Sequence, residues 1–391
     1  MYIKKSVLIT CSVILIIVTA VGTVMAINPF GALQFDDFLK FNTGVAALKG
    51  YFYEKTENKK LVDGALLGLS YSVGDPYTVY MDEKTAKSFL EDVESDDYSG
   101  IGLYITNDTN DNRVTVVSPL SGTPAEKAGI VTGDKILEID GTLVTGENID
   151  EVAASLKGGD GTEVKLKVLK KESGETVELT LKRAVIKRET VNSKMVNSEV
   201  GYIQITQFGV NTYDEFSTQF NSLVDMGMKK LVIDLRNNPG GYVEVAVEIA
   251  DTFIDDGEIV YTLNRKNKRK DYKAEKGAVK IPINVLTNEG SASASEILVG
   301  ALRDHGIAKS IGEKSFGKGV TQIPYQFRDG SILKITDSRY YTPNGVCIDK
   351  EGIKPDIEIK MSSEKYANLS SLTFAEDEQL QMAVEAFKNE K

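Results

Sequence analysis

Residues 288–296 read NEGSASASE, with serines at 291, 293 and 295, directly after the apolar run Ile283-Asn284-Val285-Leu286. A serine hydroxyl becomes a useful nucleophile only where a neighbouring group takes its proton. The usual partner is histidine, and the chain has one, His305. On a helix rising ~1.5 Å per residue, His305 lies roughly 18 Å from Ser293, out of reach. It is predicted to close the helix before Gly306. The base must then be a lysine or a carboxylate.

A lysine can act as base where a low-dielectric pocket disfavours its charged form. Lowering its pKa from ~10.4 to near 7 or 8 costs about 3 to 5 kcal/mol, so the site needs well-packed walls. Lys318, in Phe316-Gly317-Lys318-Gly319, is the lysine with a frame for this. The flanking glycines let other backbone approach closely. In an extended chain Lys318, Val320 and Gln322 share a face, so the Gln322 amide oxygen is placed to accept from the lysine and aim it. Lys314 is a rival without such a frame. A serine at the start of the helix after residue 290 gains from the positive end of its dipole. Ser291 reads as the helix cap and Ser295 as a structural position inside the helix; spacing alone does not select Ser293.

Strand-to-helix junctions must hold these groups. Residues 186–391 alternate between strand and helix: strands at 201–207, 230–235 and 283–286, helices at 212–226, 242–254 and 294–304, and further strands at 320–325, 331–336 and 338–341. Strands joined through helices imply a mostly parallel layer. Thr212-Tyr213-Asp214-Glu215 has capping-box spacing. Asn237-Asn238-Pro239-Gly240-Gly241 ends the second strand with two glycines that permit a sharp turn and bare N–H donors. A last helix is predicted from Thr373, with Leu380, Ala383, Val384 and Phe387 along one face that docks on its own domain or forms a homodimer contact.

Ahead of this layer, residues 33–95 carry helical periodicity, broken by the turn Gly74-Asp75-Pro76. From Tyr98 to Ala184 short strands with turn signals enclose a helix at 148–156. The words SGTPAEKAGIVTGDKILEIDG resemble a bacterial PDZ domain. Gly100-Ile101-Gly102-Leu103 suits the task such a domain performs. Converging backbone N–H groups meet a free peptide carboxylate, and the peptide adds as a strand beside residues 101–105.

The formal net charge of −11 argues against a nucleic-acid partner. The basic run 265–270 reads as a solvated hairpin tip, with anionic lipid as the other reading. Of two cysteines, Cys11 falls in the first apolar stretch and leaves Cys347 without a partner, so neither a disulfide nor a metal cluster is expected. Lys4 and Lys5 precede an apolar run from Val7 to Ile27, long enough to cross the ~30 Å core of a bilayer. The expectation is a single-pass, uncleaved anchor in the cell membrane with the catalytic part outside the cytoplasm.

NEGSASASE, GEKSFGKGVTQ, LVIDLRNNPGG, RYYTPNG and GIKPD, with the PDZ-like insert and GDPYTVYM before it, together resemble the carboxy-terminal processing peptidases of the S41 family. The resemblance covers roughly residues 35–360. It implies a multidomain α/β protein: a membrane-anchor or signal segment at 1–30, a helical region at 31–95, a PDZ domain at 96–186 and a crotonase-like α/β protease core at 187–391. It further implies Ser293 as nucleophile, Lys318 as general base, Gln322 as the residue orienting the lysine, and an oxyanion hole from the N–H groups of Ala294 and Gly240. No metal or cofactor is required, and the substrates are proteins or peptides with free C-termini. Lys157 stands where relatives often carry arginine, and Asp337-Ser338-Arg339 replaces a more usual small residue before the arginine.

Two other readings compete. Penicillin-binding proteins and β-lactamases also pair serine with lysine, through Ser-x-x-Lys. Three segments match that pattern (315–318, 331–334 and 362–365), but the glycines beside Lys318 oppose the required helix, and neither Ser-Asp-Asn nor Lys-Thr-Gly occurs. A membrane-tethered PDZ scaffold with an inactive core would have shown its nature by loss of Ser293 or Lys318.

Overall fold

The structure, a computed structural model, describes residues 34–389 apart from 95–97, 109–110, 121, 188 and several positions between 363 and 371. It divides into two compact units between Tyr80 and Met81. The first contains α1 (Phe35–Tyr51) and α2 (Asn58–Ser72). Here the Tyr80 hydroxyl donates to Asp63 at 2.7 Å, which ties the end of the unit to its second helix.

The stretch 7–27, expected to cross a membrane, lies outside the described residues. Among the described residues no helix is long and apolar enough to cross a membrane. The expected single-pass placement is corrected accordingly and is not carried further.

The second unit opens with α3 (Glu83–Glu94) and then builds a small β-rich domain. Its elements are β1 (Tyr98–Gly100), β2 (Leu103–Asp108), β3 (Arg113–Pro119), α4 (Pro124–Lys127), β4 (Lys135–Ile139), β5 (Thr142–Leu143), α5 (Ile149–Leu156), β6 (Glu163–Leu169), β7 (Thr176–Lys182) and β8 (Ala184–Ile186). Five strands run in the order β2-β3-β4-β6-β7, with β5 on β4, while β1 pairs with β8. Alternation along β6 sends Val164, Leu166 and Val168 inward, onto Val114, Ile136 and Leu156.

The larger domain rests on a six-stranded sheet. β9 (Val191–Met195) runs antiparallel on the edge of β10 (Val200–Ile205). After α6 (Thr212–Asp225) comes β11 (Lys230–Asp234), parallel to β10. The chain then passes through α7 (Val243–Asp251) and a hairpin of β12 (Gly257–Asn264) and β13 (Arg269–Ala274). It returns to the sheet as β14 (Ile283–Thr287), parallel to β11. α8 (Ala294–Asp304) leads to β15 (Ala308–Gly312), also parallel. β16 (Val320–Gln326) and β17 (Ile332–Tyr341) join the hairpin in a second sheet, and β18 (Ile357–Glu358) closes the first beside β15. α9 (Glu378–Ala386) ends the fold.

The parallel strands read as continuous apolar runs because both faces are covered. Leu231, Ile233 and Val285 point toward α6, α7 and α8, into the larger core. Val232 and Leu286 point the other way, toward Leu380, Ala383 and Phe387 of the last helix region. The apolar stripe of α9 therefore docks on its own sheet.

Three local expectations give way. Thr212 and Glu215 form no capping box. Glu215 instead accepts from the N–H groups of Thr190 and Val191 on the β9 side, at 2.8 and 3.1 Å. The last helix starts at Glu378 rather than Thr373, because Asp377 accepts from the Leu380 N–H at 2.9 Å and caps it there. The strands expected at 331–336 and 338–341 are one strand, β17, in which Asp337 is an extra residue facing β16. Its carboxylate is taken up by the hydroxyls of Thr321 (3.0 Å) and Ser338 (2.8 Å).

Candidate active site

Because β11 and β14 are parallel neighbours, the loops leaving their C-terminal ends lie side by side. Side-chain amides stitch them together. Asn288 Oδ1 accepts from the Asn237 N–H at 2.8 Å, and Asn288 Nδ2 donates to Asn237 Oδ1 at 2.7 Å. The Ser291 hydroxyl donates to Leu235 O at 2.7 Å and accepts from the Asn288 N–H at 3.0 Å. Ser291 is thus a loop staple and not the helix cap. Ser295, buried in the first turn of α8, donates to Asn238 O at 3.0 Å, a structural role.

Ser293 is the residue at the N-cap of α8, 8% exposed, with φ 58° and ψ −115°. A non-glycine residue in this region is strained, and such strain persists only where the surroundings dictate it. Ala294 follows at the first helical position, where an N–H has no acceptor in its own helix. Gly240 approaches both residues. A Cβ placed on it would stand 2.7 Å from the Ser293 Cβ and 2.9 Å from Ala294 N, and its φ of +100° independently favours glycine. The Gly240 N–H donates to Asn238 Oδ1 at 2.9 Å, while Asn238 Nδ2 donates to Ile205 O at 2.8 Å.

Lys318 reaches this place through Glu296, a residue given no role by sequence reasoning. Glu296 is fully buried and accepts four hydrogen bonds. One carboxylate oxygen takes the Ser315 hydroxyl (2.6 Å) and the Gly317 N–H (2.7 Å). The other takes the N–H groups of Ser293 and Lys318, both at 2.9 Å, so these two backbone nitrogens lie within twice that length of each other. Burial lifts the Glu296 carboxyl above its ordinary range, against the four donors that pull it down. The Ser-x-x-Glu spacing of Ser293 and Glu296 was its legible signal, since a carboxylate three residues past an N-cap reaches back to the cap N–H.

The glycines around Lys318 act as expected. A Cβ on Gly317 would meet Gly352 N at 2.9 Å, and one on Gly319 would meet Asp349 N at 2.2 Å, so the backbone from 349 to 352 packs against both. The Lys318 carbonyl accepts from the Tyr340 hydroxyl. The side chain is half-buried. Burial pushes its amine below the usual lysine range, the Lys334 charge adds to that shift, and Glu296 opposes it. Ser293, Ala294, Gly240 and Lys318 are therefore gathered at one place. The Gln322 amide nitrogen turns back to Val320 O at 3.3 Å.

Glu296→Gln keeps the size of the side chain but presents an amide N–H₂ to backbone N–H groups. We expect kcat to fall by about 10²-fold with KM nearly unchanged, from one or two donors left unsatisfied. Steady-state kinetics check this, and an unchanged kcat would remove Glu296 from the site.

In the small domain, Gly100 ends β1 beside Ala184, and Gly158 N–H donates to Ser99 O at 3.0 Å. Ile101 is buried in the domain core, its carbonyl accepting from the Ala125 N–H at 2.9 Å. Gly102 has φ +77°, and a Cβ there would fall 2.4 Å from that of Thr123. Leu103 begins β2 and packs on the same core. Gly102→Ala is expected to cost about 2 kcal/mol through the clash and the backbone conformation. Thermal unfolding of the variant measures it.

A family profile described as peptidase family S41 matches residues 199–359. Profiles for a PDZ domain and for the N-terminal domain of the activating protease CtpB match 115–170 and 25–85. The chain is 39% identical over 337 residues to carboxy-terminal processing protease CtpA of Bacillus subtilis (strain 168), covering 86% of this chain and 71% of that protein. It is 35% identical over 326 residues to carboxy-terminal processing protease CtpB of the same strain, covering 82% and 67%. Among solved structures, the photosystem II D1 C-terminal processing protease superposes with a TM-score of 0.52 at 31% identity, covering 82% of this chain and 86% of that one. With a protease-family match over the very segment that gathers the serine and the lysine, and relatives of that class along most of its length, the chain belongs to the S41 family of carboxy-terminal processing serine proteases.

Proposed function

We propose that the chain cleaves polypeptides with Ser293 as nucleophile and Lys318 as general base. The observation that carries this reading is the single Glu296 oxygen shared by the Ser293 and Lys318 N–H groups. The neutral Lys318 amine takes the Ser293 proton as Oγ attacks the carbonyl carbon of the scissile peptide. The developing oxyanion is met by the N–H groups of Ala294 and Gly240. Gly240 can serve only when Asn238 Oδ1 releases its N–H, so binding of the substrate carbonyl includes a turn of the Asn238 side chain. The Lys318 ammonium then protonates the leaving amine as the C–N bond breaks, and water hydrolyses the acyl-enzyme. Gln322 turns its amide oxygen to the amine and keeps it aimed.

The PDZ domain supplies recognition. The Gly100-Ile101-Gly102-Leu103 turn takes the C-terminal carboxylate of a protein substrate, and the substrate chain lies along β2. The names of the relatives, carboxy-terminal processing proteases, favour substrates with free C-termini. The test is hydrolysis of casein and of a peptide panel by the purified chain, beside Ser293→Ala. The expected result is cleavage by the native chain alone; cleavage by both forms would assign the activity elsewhere.

A further inference from the structure

The basic run of the β12–β13 hairpin is built more firmly than a solvated tip. Asn264 Oδ1 accepts from the N–H groups of Lys266 and Lys268, both at 2.9 Å, and Asn267 takes φ 57° to close the turn. The Arg269 guanidinium lies 3.6 Å above the Tyr261 ring, which stacks on Tyr341 at 5.1 Å, and its charge is spent on Glu258 and Asp271. Among the described residues, no carboxylate forms an ion pair with Arg265, Lys266 or Lys268. Lys270 donates to the Tyr272 hydroxyl at 2.6 Å.

Lys268 and Lys270 line a cavity of about 460 Å³ whose other walls include Val243 and Gln322. Val243 begins the helix that follows the Gly240-Gly241 turn, and Gln322 lies on the strand that leads away from Lys318. The cavity is thus bounded by both arms of the candidate site. Its two carboxylates are Glu244, exposed and with its charge felt by Lys270, and Asp337, already held by Thr321 and Ser338; Lys268 has no such counter-charge among them. In a chain of formal charge −11, this concentration of cations is a local feature, not the general character of the surface.

We propose that the Lys268–Lys270 rim of this cavity is a subsite for an acidic side chain of the polypeptide substrate, close to the bond that is cleaved. The placement of that bond rests on the Ser293 and Lys318 reading. A cationic rim beside a reacting centre attracts a carboxylate and fixes its register, and salt weakens the effect.

The test uses the full chain and C-terminally amidated peptides, so that no terminal carboxylate is present. Each pair differs in one position near the cleaved bond, Glu against Gln. The native chain is expected to favour the Glu peptides about tenfold in kcat/KM at low salt. Lys268→Glu combined with Lys270→Glu is expected to abolish that preference while the Gln peptides are cleaved as before. Equal cleavage of Glu and Gln peptides by the native chain, or an equal loss on both in the variant, overturns the subsite. So does an effect confined to peptides with a free C-terminus, or one confined to binding of phosphatidylserine vesicles. Binding of fluorescent Glu and Gln peptides to Ser293→Ala, followed by anisotropy, separates the two readings. Glu selectivity in binding that disappears with the added charge reversals, where the native chain cleaves none of the peptides, upholds the subsite and removes the catalytic assignment. Equal binding removes the subsite.

Discussion

Lys318→Met is expected to lower kcat by about 10³-fold or more without loss of fold. The reason lies in what burial does to the amine. Because its pKa falls in the folded state, the lysine releases its proton on folding across the window between the lowered value and the ordinary lysine value. Within that window the unfolded chain binds more protons, so stability rises with pH; below it the charged, half-buried amine works against the fold. Methionine fills similar space without the charge, and the variant's Tm at neutral pH should match or exceed that of the native chain. Activity in the native chain should rise as pH passes the lowered value from below. Lys334 contributes to the shift, so Lys334→Gln should move the rising limb of kcat/KM to higher pH. A Lys318→Met chain that retains a tenth of its activity would rule out this base.

The second large effect concerns stability. Arg236 is buried between two carboxylates, donating to Asp234 Oδ2 at 2.6 Å and to Asp377 Oδ2 at 2.7 Å, with Gln379 Oε1 at 3.1 Å. The Tyr202 hydroxyl completes the group by donating to Asp234 at 2.7 Å. Burial opposes the Arg236 charge, and the two carboxylates more than offset it. Burial together with Asp234 holds the Tyr202 phenol far above its ordinary range. Arg236→Met leaves two buried carboxylates facing one another, and a broken buried pair costs about 3–5 kcal/mol. A fall in Tm of roughly 10 °C follows, read by calorimetry. An unchanged Tm would mean that the cluster is dispensable. Asp377→Asn, which keeps one of the two acceptors that face Arg236 and leaves Asp234 in place, should cost less.

Much of this was visible in the sequence where one residue type answers one need. The glycines beside Lys318 marked a place where backbone must pass, and Asp349 to Gly352 pass there. Continuous apolar runs at 230–235 and 283–286 marked strands covered on both faces. The losses have a common physical form: polar side chains whose partners are distant in sequence. Glu215 looked like a local cap and serves β9; Asp377, unremarked beside Thr373, both caps α9 and binds Arg236. Asp337 reads as a break between strands, because a charged residue in an extended run resembles a turn until the neighbouring strand supplies its partner. Glu296 is inconspicuous in the sequence because three of its four donors come from a separate segment, Ser315 to Lys318, and one from Ser293. The cavity beside Gln322 involves five elements and has no signature in any one of them.

The clamp on Arg236 also sets an order of events during synthesis. Asn237, the first residue of the turn that carries Gly240, follows Arg236 directly, yet Asp377 and Gln379 are made some 140 residues later. Until they leave the ribosome, a growing chain holds its serine and lysine but lacks half of the anchor beneath the turn. The turn that carries Gly240 is anchored from both sides only once residue 379 has been made.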